Sequence, residues 1–297
     1  MALAPRLDFE AFVAKNTVEP AVAGPHEGPE YAYAFDRQSR QAFDHAKPVA
    51  LAVEASVRLF KHMGQRQLLG SAVKVGERQM PRIHALAQKA AETLHINPPA
   101  VFVVNNPTFN AATFGTNEDS FIILHSGLVE HYSDDELLAV IGHECGHIHN
   151  AHVAYLTALH HLTYMAGMLL PWLLQPALVT LRAWSRRAEI TCDRAGLLVA
   201  NDPKAAERAI AKLAVGSRGL YEEFNLDVFL EQYDEGSRGM GKLLEVFATH
   251  PWLPKRILAM RVFAESQLFR RATGRGTDGL TMSEVDARVS ALLKGEA

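Results

Sequence analysis

Two histidines that lie four residues apart, His143 and His147, enclose Glu144 in the segment H-E-C-G-H at 143–147. On an α-helix, residues at this spacing lie one above the other on the same face, so the two imidazoles can bind one metal ion. The carboxylate of Glu144 can then reach a water molecule held by the metal and accept its proton. Zinc is the expected ion, because a catalytic zinc site combines three protein ligands with one open position.

A third ligand must come from elsewhere in the chain. One class of metallopeptidases uses a histidine ten residues after the first, but that position is Val153 here. His149 and His152 miss the spacing. On a continuing helix they would point away from the face of His143 and His147, so both are expected to be surface or structural residues.

Glu189 is the only glutamate between residues 145 and 200, and Asp193 follows it by four residues on the same helical face. This spacing allows Glu189 to bind the metal while Asp193 accepts the spare N–H of a ligand histidine, for which His143 is the predicted partner. The alternative is an ordinary surface network, in which the two carboxylates pair with nearby arginines, namely Arg182, Arg186 and Arg187.

The two cysteines, Cys145 and Cys192, are predicted to be packing residues. Cys145 lies on the apolar stripe of its helix, well away from both histidines, so it is not a ligand. Cys192 lies nearer the face of Glu189, where packing is still the simplest interpretation.

The helix that carries the histidines is predicted to begin at Ser133, where S-D-D-E forms a capping box with Glu136. Two short runs rich in Val, Ile and Phe, at 100–104 and 121–124, predict strands. Apolar periodicity predicts further helices, at 42–63, 80–95, 185–200, 203–215, 219–233, 254–270 and 281–293. The predicted fold class is α+β and mostly helical, with a small sheet.

The segment from Cys145 to Leu181 contains no charged residue, and its last part, 162–181, is an apolar run of 20 residues that could cross a bilayer. Prolines within this run favour two short helices that form a hairpin over 153–181. Three interpretations are open: a hairpin in contact with a membrane surface, a hairpin buried in a homodimer or in the chain's own core, and a true span.

The overall composition excludes several classes of protein. The chain has 297 residues, of which 48% are hydrophobic and 21% charged, so it can bury a core and is not disordered as a whole. A net charge of −3 without a long basic block argues against nucleic acid as a partner. Two cysteines require no oxidising compartment, and the opening residues do not form a signal peptide, so a cytoplasmic location is predicted.

Three linked motifs resemble those of a known family. H-E-C-G-H-I at 143–148, S-R-x-x-E-x-x-x-D at 185–193 and T-H-P-W-L-P-K-R-I at 249–257 are similar to the three signatures of the HtpX-like and CAAX-prenyl-protease-like gluzincin zinc metalloendopeptidases. The resemblance also includes 128–140, and it covers about residues 74 to 262. It implies the gluzincin fold, with a small antiparallel sheet beside the active-site helix. It also predicts a catalytic domain at 74–265, preceded by an arm and a scaffold helix at 1–73 and followed by a linker and a helix at 266–297.

The resemblance implies a role for each matching residue in the motifs. It implies one zinc ion per chain with His143, His147 and Glu189 as ligands, Glu144 as general base, and Asp193 as the residue that supports a ligand. The activity implied is hydrolysis of peptide bonds in unfolded or membrane-associated polypeptides.

Two further residues of the third motif are candidates for the reaction. His250 is the candidate donor to the tetrahedral oxyanion, although His-Pro is also an ordinary dipeptide at a helix boundary. Arg256 either assists His250 or holds Glu189 and Asp193 in place.

Asn110 and Ala111, with Gly115 after them, resemble the edge strand of gluzincins, on which the substrate backbone pairs. Pairing of this kind recognises main chain, so broad specificity for extended polypeptide is expected. A catalytically occluded, metal-bound chaperone or binding module on the same scaffold is the alternative function, with the cleft closed by His250 as a fourth ligand or by the arm at 17–33. A structural protein with fortuitous histidines would bind no stoichiometric zinc.

Overall fold

The computed structural model describes residues 28–45, 53, 70–117, 119–166, 171–236 and 253–294. Four strands form one sheet in this part of the chain: β1 Ala72–Lys74, β2 Ala100–Val104, β3 Ala111–Gly115 and β4 Ser120–His125. The helices, in chain order, are α1 Ala34–His45, α2 Pro81–Leu94, α3 Ser126–His131, α4 Asp134–His149, α5 Val153–Ala166, α6 Pro171–Ala200, α7 Pro203–Val215, α8 Arg218–Glu222, α9 Leu226–Gly236, α10 Leu253–Ala264, α11 Gln267–Ala272 and α12 Met282–Lys294. The mostly helical α+β class is therefore confirmed.

The sheet is mixed, which corrects the predicted antiparallel arrangement. Its strand order is β1-β2-β4-β3, in which β2 and β4 run parallel while the other two pairs are antiparallel. The parallel pair arises because β3, which follows β2 in the chain, lies at the outer edge and returns through a tight turn into β4. Among the described strands, β3 therefore has a partner on one side only.

The helix α4 begins at Ser133, as predicted. The hydroxyl of Ser133 accepts from the backbone N–H of Glu136 at 3.3 Å, and the carboxylate of Glu136 accepts from the backbone N–H of Ser133 at 2.9 Å. The same carboxylate binds Lys212 Nζ at 2.7 Å and Arg208 Nε at 3.2 Å on α7. One side chain thus fixes both the start of α4 and its contact with α7.

Two predicted helices are each divided in two by a capping side chain. The stretch predicted as 219–233 breaks between α8 and α9, because Asn225 Oδ1 accepts from the backbone N–H groups of Asp227 and Val228 at 3.0 and 3.2 Å. The stretch predicted as 254–270 breaks at Ser266, whose hydroxyl accepts from the N–H of Phe269. The predicted helix 42–63 lies mostly outside the described residues, which show α1 ending at His45.

The helices α4 and α6 are packed against each other through glycines at their contact. A Cβ atom at Gly196 of α6 would lie 2.6 Å from the backbone oxygen of Ala139 on α4. A Cβ atom at Gly146 of α4 would lie 2.8 Å from the Cβ of Ala195 and 3.1 Å from the Cα of Cys192. Only glycine permits so short a distance between α4 and α6 at these positions. The close contact places the backbone that carries the two histidines next to the backbone that carries Glu189 and Asp193.

Part of the long uncharged stretch is buried in the chain's own core. Leu162 of α5 and Leu178 and Leu181 of α6 pack in one cluster with Phe43 and Trp184. None of the helices in the described residues has the length and apolar character needed to cross a membrane. The side chains of residues 164–177 lie outside the described part, so membrane or homodimer contact through 162–181 stays a prediction.

Segments on both sides of the predicted catalytic domain contribute to a shared core. Tyr31 and Tyr33 from the N-terminal segment and Val285 and Val289 from α12 are buried in the same cluster as the residues of α4 and α6. The predicted domain boundaries at 73 and 265 stay a prediction.

The glycine contact predicts a specific loss of stability. Gly196→Ala is expected to lower the free energy of unfolding by about 1–3 kcal/mol, because the added methyl group collides with backbone that cannot move away easily. Gly219→Ala on α8 is the matched control, since nothing lies within 4 Å of the added atom, and it should raise stability by up to about 1 kcal/mol. Urea unfolding of both variants makes the comparison, and equal effects would contradict the packing argument.

Candidate active site

The contact between α4 and α6 brings the three predicted ligands together. Glu189 Oε2 lies 3.5 Å from His143 Nε2, and Glu189 Oε1 lies 3.7 Å from His147 Nε2. His147 and Glu189 are buried, and His143 is partly exposed to the cleft. The Nε2 atoms of both rings therefore converge on one carboxylate.

The Nδ1 edge of His143 faces Asp193 at 3.0 Å, the contact partner expected from the spacing. Arg256 on α10 binds both Asp193 oxygens, at 2.8 and 2.6 Å, and also Glu189 Oε2 at 2.9 Å. Burial raises the pKa of Asp193, but Arg256 and His143 outweigh it and hold that pKa below its usual range. Arg256 thus bridges the two carboxylates, which is one of the two roles considered for it.

Glu144 is positioned by a residue that sequence reasoning missed. Thr113 of β3 donates from its hydroxyl to Glu144 Oε2 at 2.6 Å, and the same hydroxyl lies 3.3 Å from the backbone oxygen of Glu144. Both residues are buried. A threonine in a short strand carries no local signal for this role, because the contact depends on how the sheet packs against α4.

Cys192 offers a second candidate for the third ligand. Ligand atoms of His143, His147 and Cys192 lie within 4.8 Å of one another. Burial, followed by nearby carboxylates, raises the pKa of the Cys192 thiol well above its usual range. The sulfur of Cys192 lies 3.7 Å from Nδ1 of His152, and this nitrogen also faces Nδ1 of His147. Glu189 instead faces Nε2 of His147. The orientation of the rings therefore favours Glu189.

The ring of His152 does not point away from the face of His143 and His147, as it would on a continuing helix. The helix α4 ends at His149, Ala151 has a φ of 53°, and the backbone N–H of His152 then donates to the carbonyl of His147. This turn directs the buried ring of His152 back onto His147. His149 instead contacts the hydroxyl of Tyr31.

The edge strand β3 forms one wall of a cleft of about 1160 Å³ that contains the site. Asn110 accepts at its backbone oxygen from the N–H of His125, so in the antiparallel pattern Ala111 and Thr113 direct their backbone groups to the outer edge. The side-chain oxygen of Asn110 accepts from the N–H of Ala111, and Thr157 of α5 donates to the backbone oxygen of Gly115. Much of the remaining lining is apolar, for example Leu128, Val140, Leu197, Ile210, Leu213 and Met260.

The charges of the site suit a divalent cation. The carboxylates of Glu144, Glu189 and Asp193 are opposed by one guanidinium, that of Arg256, among the described residues that line the cleft. Burial lowers the pKa of His143, but Asp193 and Glu189 outweigh it and raise that pKa. Imidazole nitrogen and carboxylate oxygen are donors that zinc accepts, so the residues fit such an ion.

His250 lies outside the described residues, and its predicted role stays a prediction.

A helix that carries H-E-x-x-H, joined by a glutamate from a later helix, defines a metallopeptidase of the gluzincin class. The sequence model of peptidase family M48 matches residues 77–263. The chain belongs to peptidase family M48, and the resemblance to HtpX-like metallopeptidases is confirmed.

Three relatives illustrate the range of similarity. The chain is 38% identical over 179 residues to the plastoglobule-localized metallopeptidase 48, chloroplastic, of Arabidopsis thaliana, an alignment that covers 57% of this chain and 51% of the relative. It thus spans about half the length of that protein. It is 26% identical over 252 residues to a protease HtpX homolog of Moorella thermoacetica, with 71% and 82% covered. It is 27% identical over 226 residues to a protease HtpX homolog of Tropheryma whipplei, with 65% and 76% covered. No solved structure matches the chain.

The two candidates for the third ligand predict different behaviour on substitution. Glu189→Gln should weaken metal binding by more than about 100-fold, because it removes the charged oxygen donor, whereas Cys192→Ala should change it by less than about threefold. Competition with a chromophoric chelator measures both affinities. The cobalt-substituted wild-type protein should show no cobalt–thiolate charge-transfer band, and such a band, or loss of metal from Cys192→Ala, would assign the position to Cys192.

Proposed function

We propose that this metallopeptidase is a zinc-dependent endopeptidase that cleaves unfolded or membrane-associated polypeptide. The observation that supports it best is the convergence of His143 Nε2 and His147 Nε2 on Glu189 within 3.7 Å, beside Glu144 and at the wall of an open cleft. These are the groups that metal-assisted hydrolysis requires, held by the two helices α4 and α6.

His143, His147 and Glu189 would hold the ion. A bound zinc ion supplies Lewis acidity, which polarises a peptide carbonyl and lowers the pKa of a coordinated water molecule. Arg256 keeps Glu189 and Asp193 side by side in the buried cluster, and Asp193 fixes the ring of His143 through Nδ1. In this proposal, Arg256 is a positioning residue, and oxyanion stabilisation is assigned to His250.

Glu144 is the general base of the proposed reaction. It follows His143 directly on α4, so its carboxylate lies beside the ligands but is displaced around the helix from their shared face. It accepts the proton of the attacking water and returns it to the leaving amine, which keeps the proton balance of hydrolysis. The hydroxyl of Thr113 limits rotation of this carboxylate, because it holds Oε2 at 2.6 Å.

The substrate pairs with β3 in an extended conformation. The backbone oxygen of Ala111 and the backbone groups of Thr113 face the outer edge of the sheet, so they can hydrogen-bond to main chain of any sequence. Asn110 supports this strand through its own bond to the N–H of Ala111. The apolar part of the cleft is suited to side chains that are exposed in unfolded protein. Broad specificity follows from this arrangement.

Removal of the general base tests the catalytic proposal directly. Glu144→Gln should lower the rate of casein cleavage by at least about 100-fold while the protein retains one zinc ion per chain, because only proton transfer is lost. Glu92→Gln, an exposed carboxylate on α2, is the control and should retain full activity. Metal analysis accompanies each assay. Stoichiometric zinc with no cleavage by the wild-type protein would support the occluded binding module instead, and absence of zinc would exclude both.

Thr113→Val tests the positioning of Glu144. The substitution keeps the side-chain volume but removes the hydroxyl, so kcat should fall by roughly 10-fold or more, with KM and zinc content unchanged. Thr93→Val on α2 serves as the control, since its hydroxyl binds only the backbone of its own helix in the described contacts. Full activity of Thr113→Val would show that Glu144 needs no such partner.

A further inference from the structure

The two predicted ligand histidines are supported in different ways. Nδ1 of His143 meets a carboxylate directly, that of Asp193 at 3.0 Å. Nδ1 of His147 meets another imidazole nitrogen, Nδ1 of His152, at 3.2 Å. Two ring nitrogens at this distance form a hydrogen bond only if one carries a proton and the other does not. The position of that proton therefore decides which nitrogen of His147 can bind a metal.

The far side of His152 shows where its own proton lies. Nε2 of His152 is 3.1 Å from Asp36 Oδ2 on α1, and both side chains are almost fully buried. The carboxylate of Asp36 also accepts from Trp184 Nε1 at 2.8 Å and from the hydroxyl of Thr191 at 2.6 Å. Asp36 thus acts as an acceptor toward its neighbours, and a ring nitrogen 3.1 Å from its Oδ2 is favourable there only when that nitrogen carries a proton, which places the proton of His152 on Nε2.

A neutral imidazole that is protonated at Nε2 has a lone pair at Nδ1. Nδ1 of His152 then accepts from Nδ1–H of His147, which leaves the lone pair of His147 on Nε2. That nitrogen lies 3.7 Å from Glu189 Oε1. Asp36 thus determines which nitrogen of His152 carries the proton, and His152 determines the same for His147, whose Nε2 faces the proposed metal site.

We infer that His152 and Asp36 are positioning residues that fix His147 in the tautomer that binds the metal through Nε2. This inference rests on the proposed metal site and adds to it a residue from the N-terminal segment. Asp36 lies outside residues 77–263, to which the family model is matched. The helix α1 is therefore part of the metal site of this chain, although it provides no ligand.

Two substitutions of His152 separate its contact with His147 from its contact with Asp36. The side-chain oxygen of asparagine takes the place of Nδ1, so His152→Asn keeps an acceptor for His147. The terminal amide of glutamine takes the place of Nε2, so His152→Gln keeps a donor for Asp36 but offers no acceptor at Nδ1. Both variants are polar and similar in size, so a merely structural role would affect them equally.

Zinc affinity measured by chelator competition is the readout, and it does not depend on activity. His152→Asn should bind zinc within about threefold of wild type, whereas His152→Gln and Asp36→Asn should bind it about 10- to 100-fold more weakly. His149→Gln is the matched control, because this neighbouring histidine contacts Tyr31 and should leave the affinity unchanged. Thermal unfolding of the metal-free proteins shows whether each variant is folded.

Equal affinities of His152→Asn and His152→Gln would overturn the inference while the proposed function stands, because the wild-type protein would still bind zinc. Wild-type affinity in Asp36→Asn would also overturn it. Absence of zinc from the wild-type protein would overturn both the proposed metal site and the inferred roles of His152 and Asp36. If His152→Gln does not fold, Asp36→Asn alone still tests the inference, because it removes the charge that holds the proton of His152 on Nε2.

Discussion

The close approach of α4 and α6 is the constraint on which the rest of the structure depends. Each helix carries part of the site, His143 and His147 on one and Glu189 on the other, and neither part is useful alone. Gly146 and Gly196 lie where the two backbones meet, and a methyl group at either position would collide with the opposite helix. The separation of the helices is therefore determined by missing side chains, and the convergence of donor atoms follows from it.

Buried charge is the second determinant of the arrangement. Carboxylates inside a protein are stable only when cations or hydrogen-bond donors surround them. Asp193 and Glu189 share Arg256 of α10, and Asp36 is held by Trp184 and Thr191. These contacts connect α1, α6 and α10, which are distant in sequence. The polar network thus links α6 to the N-terminal segment and to α10, in addition to the shared hydrophobic core.

Much of the fold and of the site follows from local patterns in the sequence. The start of α4 at Ser133, the strands near 100–104 and 121–124, and the pairing of Glu189 with Asp193 on one helix face all depend on spacing within a few residues. The missed features depend on contacts between distant elements. His152 required knowledge of where α4 ends, since one turn of further helix would direct its ring elsewhere. The parallel pairing of β2 with β4 required the strand order, and the contact of Thr113 with Glu144 required the packing of the sheet on α4.

The bond from Thr157 to the backbone oxygen of Gly115 closes one end of the edge strand. In the binding mode proposed above, a substrate chain would pair only with the backbone groups near Ala111 and Thr113, because the next outward-facing carbonyl, that of Gly115, is already bonded to α5. Under the proposed function, a target would therefore have to present a short extended segment that is free of its own neighbouring strands.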